Sequence, residues 1–236
     1  MKKTCGLTRV SSMTVNRFRD GEFAKVRQVG KPLDDASVKV RRDGEWDEIW
    51  PGVTVVEDFE RGNLDPYEGD LGAYSVEGEG AFEGDNYLAT VGSGFDRIRS
   101  TSGLPAYPKS GDTFTYYQYL DSDSDADQRF RFAVQDRDNN YGIQIQEDSF
   151  AIFIREAGDF TSLSATSANP VRGEWIRVTV DWSEDGDIEA TLYDDAEGHT
   201  EQATVLVVDE TFKDGGIGFS HNRSGDHRWD YVVIHG

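Results

Sequence analysis

The chain has 236 residues and a formal net charge of −21, enough length for one large β domain or for a sandwich with a small appendage. This excess of carboxylates argues against nucleic acid as a partner, because phosphate binding requires clustered Lys and Arg. The single cysteine, Cys5, excludes an internal disulfide framework and a multi-thiolate metal site. No stretch approaches the roughly 20 apolar residues of a membrane span.

The charge is unevenly distributed. Residues 1–50 carry 11 Lys and Arg against 8 Asp and Glu, a balance of +3, whereas residues 51–236 carry 13 against 37, a balance of −24. Carboxylates in such excess repel one another unless salt screens them, to within roughly 3 Å at about 1 M, so a halophilic source is expected. The +3 segment is expected to be shielded against another protein, although a mildly basic segment could equally arise by chance. It lacks the apolar stretch of a signal peptide.

The N-terminal segment is predicted to attach the chain to a partner. Residues 1–30 are predicted to form an extended arm with scattered apolar residues, among them Phe18 and Phe23. Alternating runs at 38–42 and 45–50 flank Asp43-Gly44, which is a strong hairpin signal. Trp46 and Trp50 share one face of this hairpin, which has no core and must pack on the main domain, a copy of itself or a partner. The boundary at Pro51-Gly52 separates this segment, residues 1–52, from a main domain of residues 53–236.

The main domain is predicted to be all β. A strand at 53–60 and short strands at 87–91 and 97–100 precede six alternating segments, and two strands at 215–220 and 229–234 close the chain. The six segments, at 113–120, 128–135, 141–146, 150–155, 175–182 and 187–193, predict an antiparallel meander. No helix is predicted.

The alternation divides the meander residues between two faces. The apolar face is predicted to be buried and comprises Phe114, Tyr116, Leu120, Phe130, Phe132, Val134, Tyr141, Ile143, Ile145, Phe150, Ile152, Ile154, Ile176, Val178, Val180, Trp182, Ile188, Ala190 and Leu192. On the opposite face, Arg and Gln can hydrogen-bond hydroxyls in pairs and Tyr rings can stack on sugars. That face is predicted to bind a glycan, to contact another subunit or to be solvated, and its candidate residues are Tyr117, Tyr119, Arg131, Gln144, Gln146 and Arg177.

Three parts of the main domain resemble a concanavalin A-like jelly-roll sandwich, with laminin-G-like and DUF1080-like modules of halophilic archaea as the nearest types. They are the strand at 56–62, the pair at 174–178 and 187–190, and the segment 215–219 closing on 229–232. The resemblance covers residues 53–236 and implies the fold, which lectins, glucanases, adhesins and virion proteins share. It also implies a structural Ca²⁺ between the first and last strands, where Asp58, Glu60 and Asp230 stand; ordinary edge carboxylates are the alternative.

No catalytic residue is predicted. Sugar hydrolysis requires two carboxylates about 5 Å apart in retaining enzymes or about 6.5 to 9.5 Å apart in inverting ones. The corresponding strands carry Arg129-Phe130-Arg131 and Gln144-Ile145-Gln146 instead. The acidic segment 121–127 lacks the glycine and glutamate of a calcium loop.

A short arm followed by a Trp-bearing hairpin resembles the attachment segment of viral tail or capsid-surface proteins. We therefore expect a non-enzymatic, homo-oligomeric virion surface protein of a halophilic archaeal virus, in a tail fibre, baseplate, capsid turret or decoration. Residues 1–52 would bind other virion proteins, and the sandwich would face the high-salt medium for host glycan adsorption or virion stabilisation. The alternatives are a cellular or secreted carbohydrate-binding module, a glycoside hydrolase of the same fold, and a purely structural spacer.

Overall fold

The structure, a computed structural model, describes residues 52–91, 94–121, 127–222 and 225–236, and within residues 1–51 it describes strand segments alone. The chain divides into two compact units, residues 1–53 with Gly236 and residues 54–235. The described residues include no helix that is long and apolar enough to cross a membrane.

The first unit contains short antiparallel strands. Strands β1 (Phe18–Arg19) and β2 (Glu22–Phe23) pair, with Phe18 opposite Phe23. Strands β4 (Ser37–Arg42) and β5 (Glu45–Glu48) confirm the predicted hairpin. The segment 1–30, predicted to be an extended arm, contains β1, β2 and β3 (Arg27–Val29), and β3 pairs with β4. A third strand stabilises a hairpin that is marginal alone. Trp46 lies in β5, whereas Trp50 lies outside the described residues.

The second unit is built from antiparallel strands. The strands that follow residue 52 are β6 (Val53–Glu57), β7 (Glu68–Gly69), β8 (Tyr74–Glu77), β9 (Tyr87–Thr90), β10 (Phe95–Ser100), β11 (Thr113–Tyr119), β12 (Asp127–Val134), β13 (Asn140–Gln146), β14 (Ser149–Glu156), β15 (Asp159–Ser167), β16 (Trp175–Trp182), β17 (Asp187–Tyr193), β18 (Glu201–Val208), β19 (Gly216–Asn222) and β20 (Arg228–His235).

These strands form two sheets that enclose one core. The seven-stranded sheet has the order β15-β14-β13-β12-β19-β10-β7, and the eight-stranded sheet has the order β18-β17-β16-β11-β20-β9-β8, with β6 also paired to β20. Every apolar residue predicted to be buried is at most 7% exposed. The predicted jelly-roll β-sandwich is therefore confirmed.

The prediction of one continuous six-stranded meander is wrong. Strands β11, β16 and β17 belong to the eight-stranded sheet, whereas β12, β13 and β14 belong to the seven-stranded sheet. Alternation reveals which side chains face the core, but both sheets of a sandwich face the same core, so it does not reveal to which sheet a strand belongs. The polar edge strand β15, rich in Ser and Thr, is an element that the prediction missed.

Each sheet contains a β-bulge beside a buried ionisable residue. Between Arg131 and Val134, β12 has one residue more than β19, and Ala133 there has a φ of 51°. Likewise β20 has an extra residue, Tyr231 with a φ of 47°, directly after Asp230. Bulges redirect the side chains next to them. The two bulges lie next to Arg131 in the seven-stranded sheet and next to Asp230 in the eight-stranded sheet.

Candidate functional site

The six predicted binding residues lie on two opposite surfaces. Arg131, Gln144 and Gln146 stand on strands of the seven-stranded sheet, whereas Tyr117, Tyr119 and Arg177 stand on strands of the eight-stranded sheet. The inward side chains of both sheets form the common core, so the two outer faces point in opposite directions. The prediction of one shared surface is therefore wrong.

Tyr117 is covered by the segment 78–86, which we call the covering loop. The Phe82 ring stacks on the Tyr117 ring with centroids 3.6 Å apart and an angle of 16° between their planes. Tyr117 is consequently only 3% exposed. A sugar ring cannot stack on Tyr117 while the covering loop keeps this position.

Hydrogen bonds to side chains of distant segments hold the covering loop. Asp230 Oδ2 accepts from the backbone N–H groups of Phe82 at 2.9 Å and Glu83 at 3.1 Å. Glu60 Oε1 accepts from two further backbone N–H groups of the segment, at 2.7 and 2.8 Å. Trp175 Nε1 donates to the carbonyl of Gly80 at 3.1 Å. The covering loop is thus fixed over the outer face of the eight-stranded sheet, above the Tyr117 ring.

Asp230 is completely buried under this loop. Burial raises the pKa of its carboxyl to about 8, and the nearby charge of Glu60 acts in the same direction. The backbone N–H groups of Phe82, Glu83 and Tyr231 lower the pKa but do not outweigh burial. Through its hydrogen bonds to the N–H groups of Phe82 and Glu83, the buried Asp230 side chain anchors the covering loop.

The other two predicted residues of this face are engaged by their own neighbours. The Arg228 guanidinium lies 4.5 Å from the centre of the Tyr119 ring. Arg177 lies 4.4 Å from the Tyr193 ring and donates to the carbonyl of Glu197 at 3.0 Å. These contacts hold the side chains of Tyr119 and Arg177 in place, and none of them involves Tyr117.

The predicted calcium ligands Asp58, Glu60 and Asp230 accept hydrogen bonds from backbone N–H groups. Asp58 Oδ1 accepts the backbone N–H of Glu60 at 3.2 Å, and the oxygens of Glu60 and Asp230 hold the covering loop. In the part of the chain that the structure describes, the carboxylate and imidazole group of metal-binding size is Asp195, Glu197 and His199. It lies in the exposed turn after β17 and contains an imidazole, which Ca²⁺ does not favour. Calcium binding stays a prediction.

The outer face of the seven-stranded sheet is rich in arginine. We call it the arginine face, and its arginines are Arg97, Arg99, Arg129, Arg131 and Arg155. Ser220 of β19 pairs with Arg97 on one side and Arg129 on the other, and Gly218 pairs in the same way with Arg99 and Arg131. Two adjacent rows of the sheet thus carry guanidinium groups within a chain of charge −21.

In the first row, Arg129 lies between open aromatic rings. It makes a bidentate pair with Asp127, at 3.0 Å from Nε and 2.9 Å from Nη2, and the Gln144 amide donates to the same carboxylate at 2.7 Å. The guanidinium carbon is 5.1 Å from the centre of the Phe95 ring and 5.2 Å from that of Phe160. These rings are 37% and 42% exposed, so aromatic surface is accessible on both sides of a rigid polar group.

In the second row, Arg131 is only 2% exposed. Its Nη2 donates to the carbonyls of Ile98 at 2.7 Å and Phe219 at 3.3 Å. No described residue accepts a hydrogen bond from its Nε or Nη1. Gly218 leaves room for this hydrogen bond, since a Cβ there would lie 2.7 Å from the carbonyl oxygen of Ile98 and 3.1 Å from Nη2. Burial lowers the pKa of Arg131 to about 9.

Three further arginines surround Arg131. Arg97, Arg99 and Arg155 lie close enough for their charges to lower its pKa further. Arg99 contacts Glu68 at 2.8 Å, and Arg97 lies 3.9 Å from Asp138. Both carboxylates are more than half exposed, so water screens them, and they compensate little of the buried charge.

Gln146, the last of the six predicted binding residues, lies at the edge of the arginine face, and several residues of this face were missed by the sequence prediction. Gln146, at the end of β13, accepts a hydrogen bond from Ser149 at 3.1 Å. The residues missed are Phe95, Arg97, Arg99, Asp127, Arg129, Phe153, Arg155 and Phe160. The alternation of Phe95, Arg97 and Arg99 was a usable signal, but their proximity to β12 depends on β19, which joins the two strands.

Solved structures with this architecture include proteins of several activities. No protein-family model and no curated sequence matches the chain. The exoplasmic/lumenal domain of VIP36, in a form bound to Ca²⁺ and Man3GlcNAc, matches 76% of this chain and 86% of its own at 10% identity, with a TM-score of 0.53. A mutant of the GH43 protein BlXynB from Bacillus licheniformis matches 96% of this chain and 48% of its own at 13% identity, with a TM-score of 0.52. A carbohydrate esterase of the Shiga toxin-encoding bacteriophage phi24B matches 78% and 98% at 10% identity, with a TM-score of 0.50. The chain therefore has the fold of a lectin-like jelly-roll sandwich.

Proposed function

We propose that the chain is a non-enzymatic glycan-binding protein and that its binding surface is the arginine face. One observation carries this proposal: Arg129 is fixed between the exposed rings of Phe95 and Phe160. Exposed rings offer apolar faces to a sugar, and the adjacent guanidinium and amide groups offer hydrogen bonds to its hydroxyls. The eight-stranded sheet is the weaker candidate because Phe82 covers Tyr117.

The arginine face is also proposed to lack a catalytic pair of carboxylates. The buried carboxylate of the arginine face, Asp127, is bound by Arg129 and Gln144 and lies 3.3 Å from the Asn222 amide. Both of its oxygens are occupied, because Oδ1 accepts from Arg129 and Gln144 and Oδ2 accepts from Arg129 and Asn222. A hydrolase would also need a second carboxylate at a defined distance, whereas the adjacent row carries Gly218, Arg131 and Gly142.

A glycan array with the full-length protein tests the proposal. Phe95→Ala and Phe160→Ala should each weaken binding to the best glycan by about tenfold, equivalent to about 1.4 kcal/mol. Leu206→Ala removes a side chain that is 54% exposed on the other sheet, and it should leave the affinity unchanged. The proposal fails if no glycan binds, or if the Phe variants bind as well as the Leu206 control.

We further propose that the first unit attaches the sandwich to a virion of a halophilic archaeal virus, as a homo-oligomer with other virion proteins. The contrast between +3 for residues 1–50 and −24 for residues 51–236 supports this, because a less acidic segment tolerates burial against a partner. A cellular or secreted carbohydrate-binding module is the alternative. If the full-length protein and a variant lacking residues 1–52 are both monomeric at high salt, the attachment proposal loses its support. Mass spectrometry of purified virions distinguishes the two settings.

A further inference from the structure

We infer that the glycan bound by the arginine face is acidic, and that Arg97, Arg99 and Arg155 bind a carboxylate or sulfate group of one of its sugars beside the buried Arg131. This inference rests on the proposed function. It adds the chemical class of the ligand, which neither the fold nor the exposed phenylalanines specify.

The charge around Arg131 is positive. Arg131 has Arg97, Arg99 and Arg155 as cationic neighbours, and Arg97 additionally has Arg137. The ion pairs made by this group in the described structure involve Glu68 and Asp138, both largely exposed, and Asp70 and Asp136 lie near Arg97 and Arg99 without an ion-pair contact. Four clustered guanidinium groups with weakly held counter-charges form an anion site in an otherwise acidic protein.

Within the part of the chain that the structure describes, the arginine cluster has hydrogen-bond donors without acceptors. The Nε and Nη1 atoms of Arg131 and the Nε atoms of Arg97 and Arg99 are shielded from solvent, and no acceptor for them lies in the described residues. Buried donors without acceptors are costly, and charged ones most of all. An oxyanion bound beside the cluster would supply the negative charge that these guanidinium groups lack.

Access to the cluster runs past the exposed Phe95 ring. The Phe153 ring lies over Gly142, where a Cβ would clash with its Cζ, and the Arg131 guanidinium lies over Gly218. The Arg97 guanidinium carbon is 5.1 Å from the centre of the Phe95 ring, and the side chains of Arg97 and Arg99 are 12% and 20% exposed. A sugar stacked against Phe95 would therefore bring a charged substituent close to Arg97 and Arg99.

Paired ligands that differ in charge alone test the inference. Titration calorimetry compares an oligogalacturonate with its methyl ester, and a sulfated oligosaccharide with its desulfated form. We expect the acidic member of at least one pair to bind about tenfold or more tightly than the neutral member, with affinity falling as salt rises. The pair that shows the difference identifies carboxylate or sulfate as the recognised group.

Matched substitutions locate the binding. Arg99→Gln and Arg155→Gln should each weaken the acidic ligand by about tenfold and leave the neutral one unchanged. Arg177→Gln, the same change on the opposite face, should affect neither, and thermal unfolding confirms that each variant is folded. Equal binding of acidic and neutral members, or equal loss in the Arg177 control, overturns the inference while the glycan-binding proposal stands. Failure of every glycan to bind instead overturns the proposed function.

Discussion

Replacement of the buried anchor of the covering loop by Asp230→Asn should remove a large part of the pH dependence of stability. The pKa of Asp230, raised to about 8 in the folded protein by burial, lies far above the value of about 3.9 for an unfolded chain. The folded state therefore binds this proton more tightly. The resulting stabilisation is fully present below about pH 4 and is lost as the pH rises through about 8.

The magnitude follows from that shift. Between pH 6 and pH 8 the unfolded carboxyl is ionised while the folded one is still losing its proton, so the slope approaches 1.4 kcal/mol per pH unit. The wild type should thus lose about 2 kcal/mol more than Asp230→Asn over this range. His227, whose pKa burial lowers to about 4, adds a slope of opposite sign near pH 6.5 to both proteins, and the difference between them cancels it.

Urea denaturation at pH 6, 7 and 8 measures this difference. Asp181→Asn changes an exposed carboxylate of the same sheet and should keep the wild-type slope. Titration of the carboxyl carbon of Asp230 by NMR gives a direct check of its pKa. A midpoint below about 5, or the same slope in wild type and Asp230→Asn, would refute the assignment of this pH dependence to Asp230.

Three further changes test other parts of the structure. Phe82→Ala removes the half-buried ring that covers Tyr117 and should lower the free energy of unfolding by about 2 kcal/mol in urea denaturation; a change below about 0.5 kcal/mol would show that the loop is not held by this ring. Arg131→Met replaces a buried cation by an apolar side chain of similar length and should stabilise the protein by about 1 kcal/mol or more in urea denaturation. Binding of the acidic glycan should be lost in the same variant. A large loss of stability would show that the charge of Arg131 is compensated in the folded protein. Chelation with EDTA tests the calcium prediction: the melting temperature should stay unchanged if Asp230 belongs to no metal-sized group, as in the described residues, and a fall of several degrees would support bound calcium.

The sequence was sufficient to predict the core but not its division into sheets. Residues such as Phe130 and Ile176 are buried as their alternation predicts, because period-two burial is a local property of a strand. The pairing of β12 with β19 and of β11 with β20 joins strands separated by roughly a hundred residues. No local pattern encodes such pairing, so Arg131 and Tyr117 were wrongly predicted to share a face.

The covering loop illustrates the same limit at the level of a single site. Tyr117 was a reasonable candidate for stacking on a sugar, since its strand position faces away from the core. Its partner Phe82 belongs to a glycine-rich segment whose position depends on Glu60 and Asp230. The three contributing segments are far apart in the chain and meet only when the sandwich has formed.

The two outer faces differ in how they accommodate a buried ionisable residue next to a bulge. Asp230 is satisfied by the protein itself, because Oδ2 accepts from two backbone N–H groups of the covering loop and Oδ1 accepts from the N–H of Tyr231, and the loop closes the face above it. On the other face, the described residues provide acceptors for Nη2 of Arg131 but none for its Nε and Nη1. The eight-stranded sheet has one such donor among its described outer arginines, Nε of Arg177, whereas the arginine face has four, in Arg97, Arg99 and Arg131. Because these four lie in one cationic cluster, a bound anion on the arginine face would contribute the charge that the fold does not.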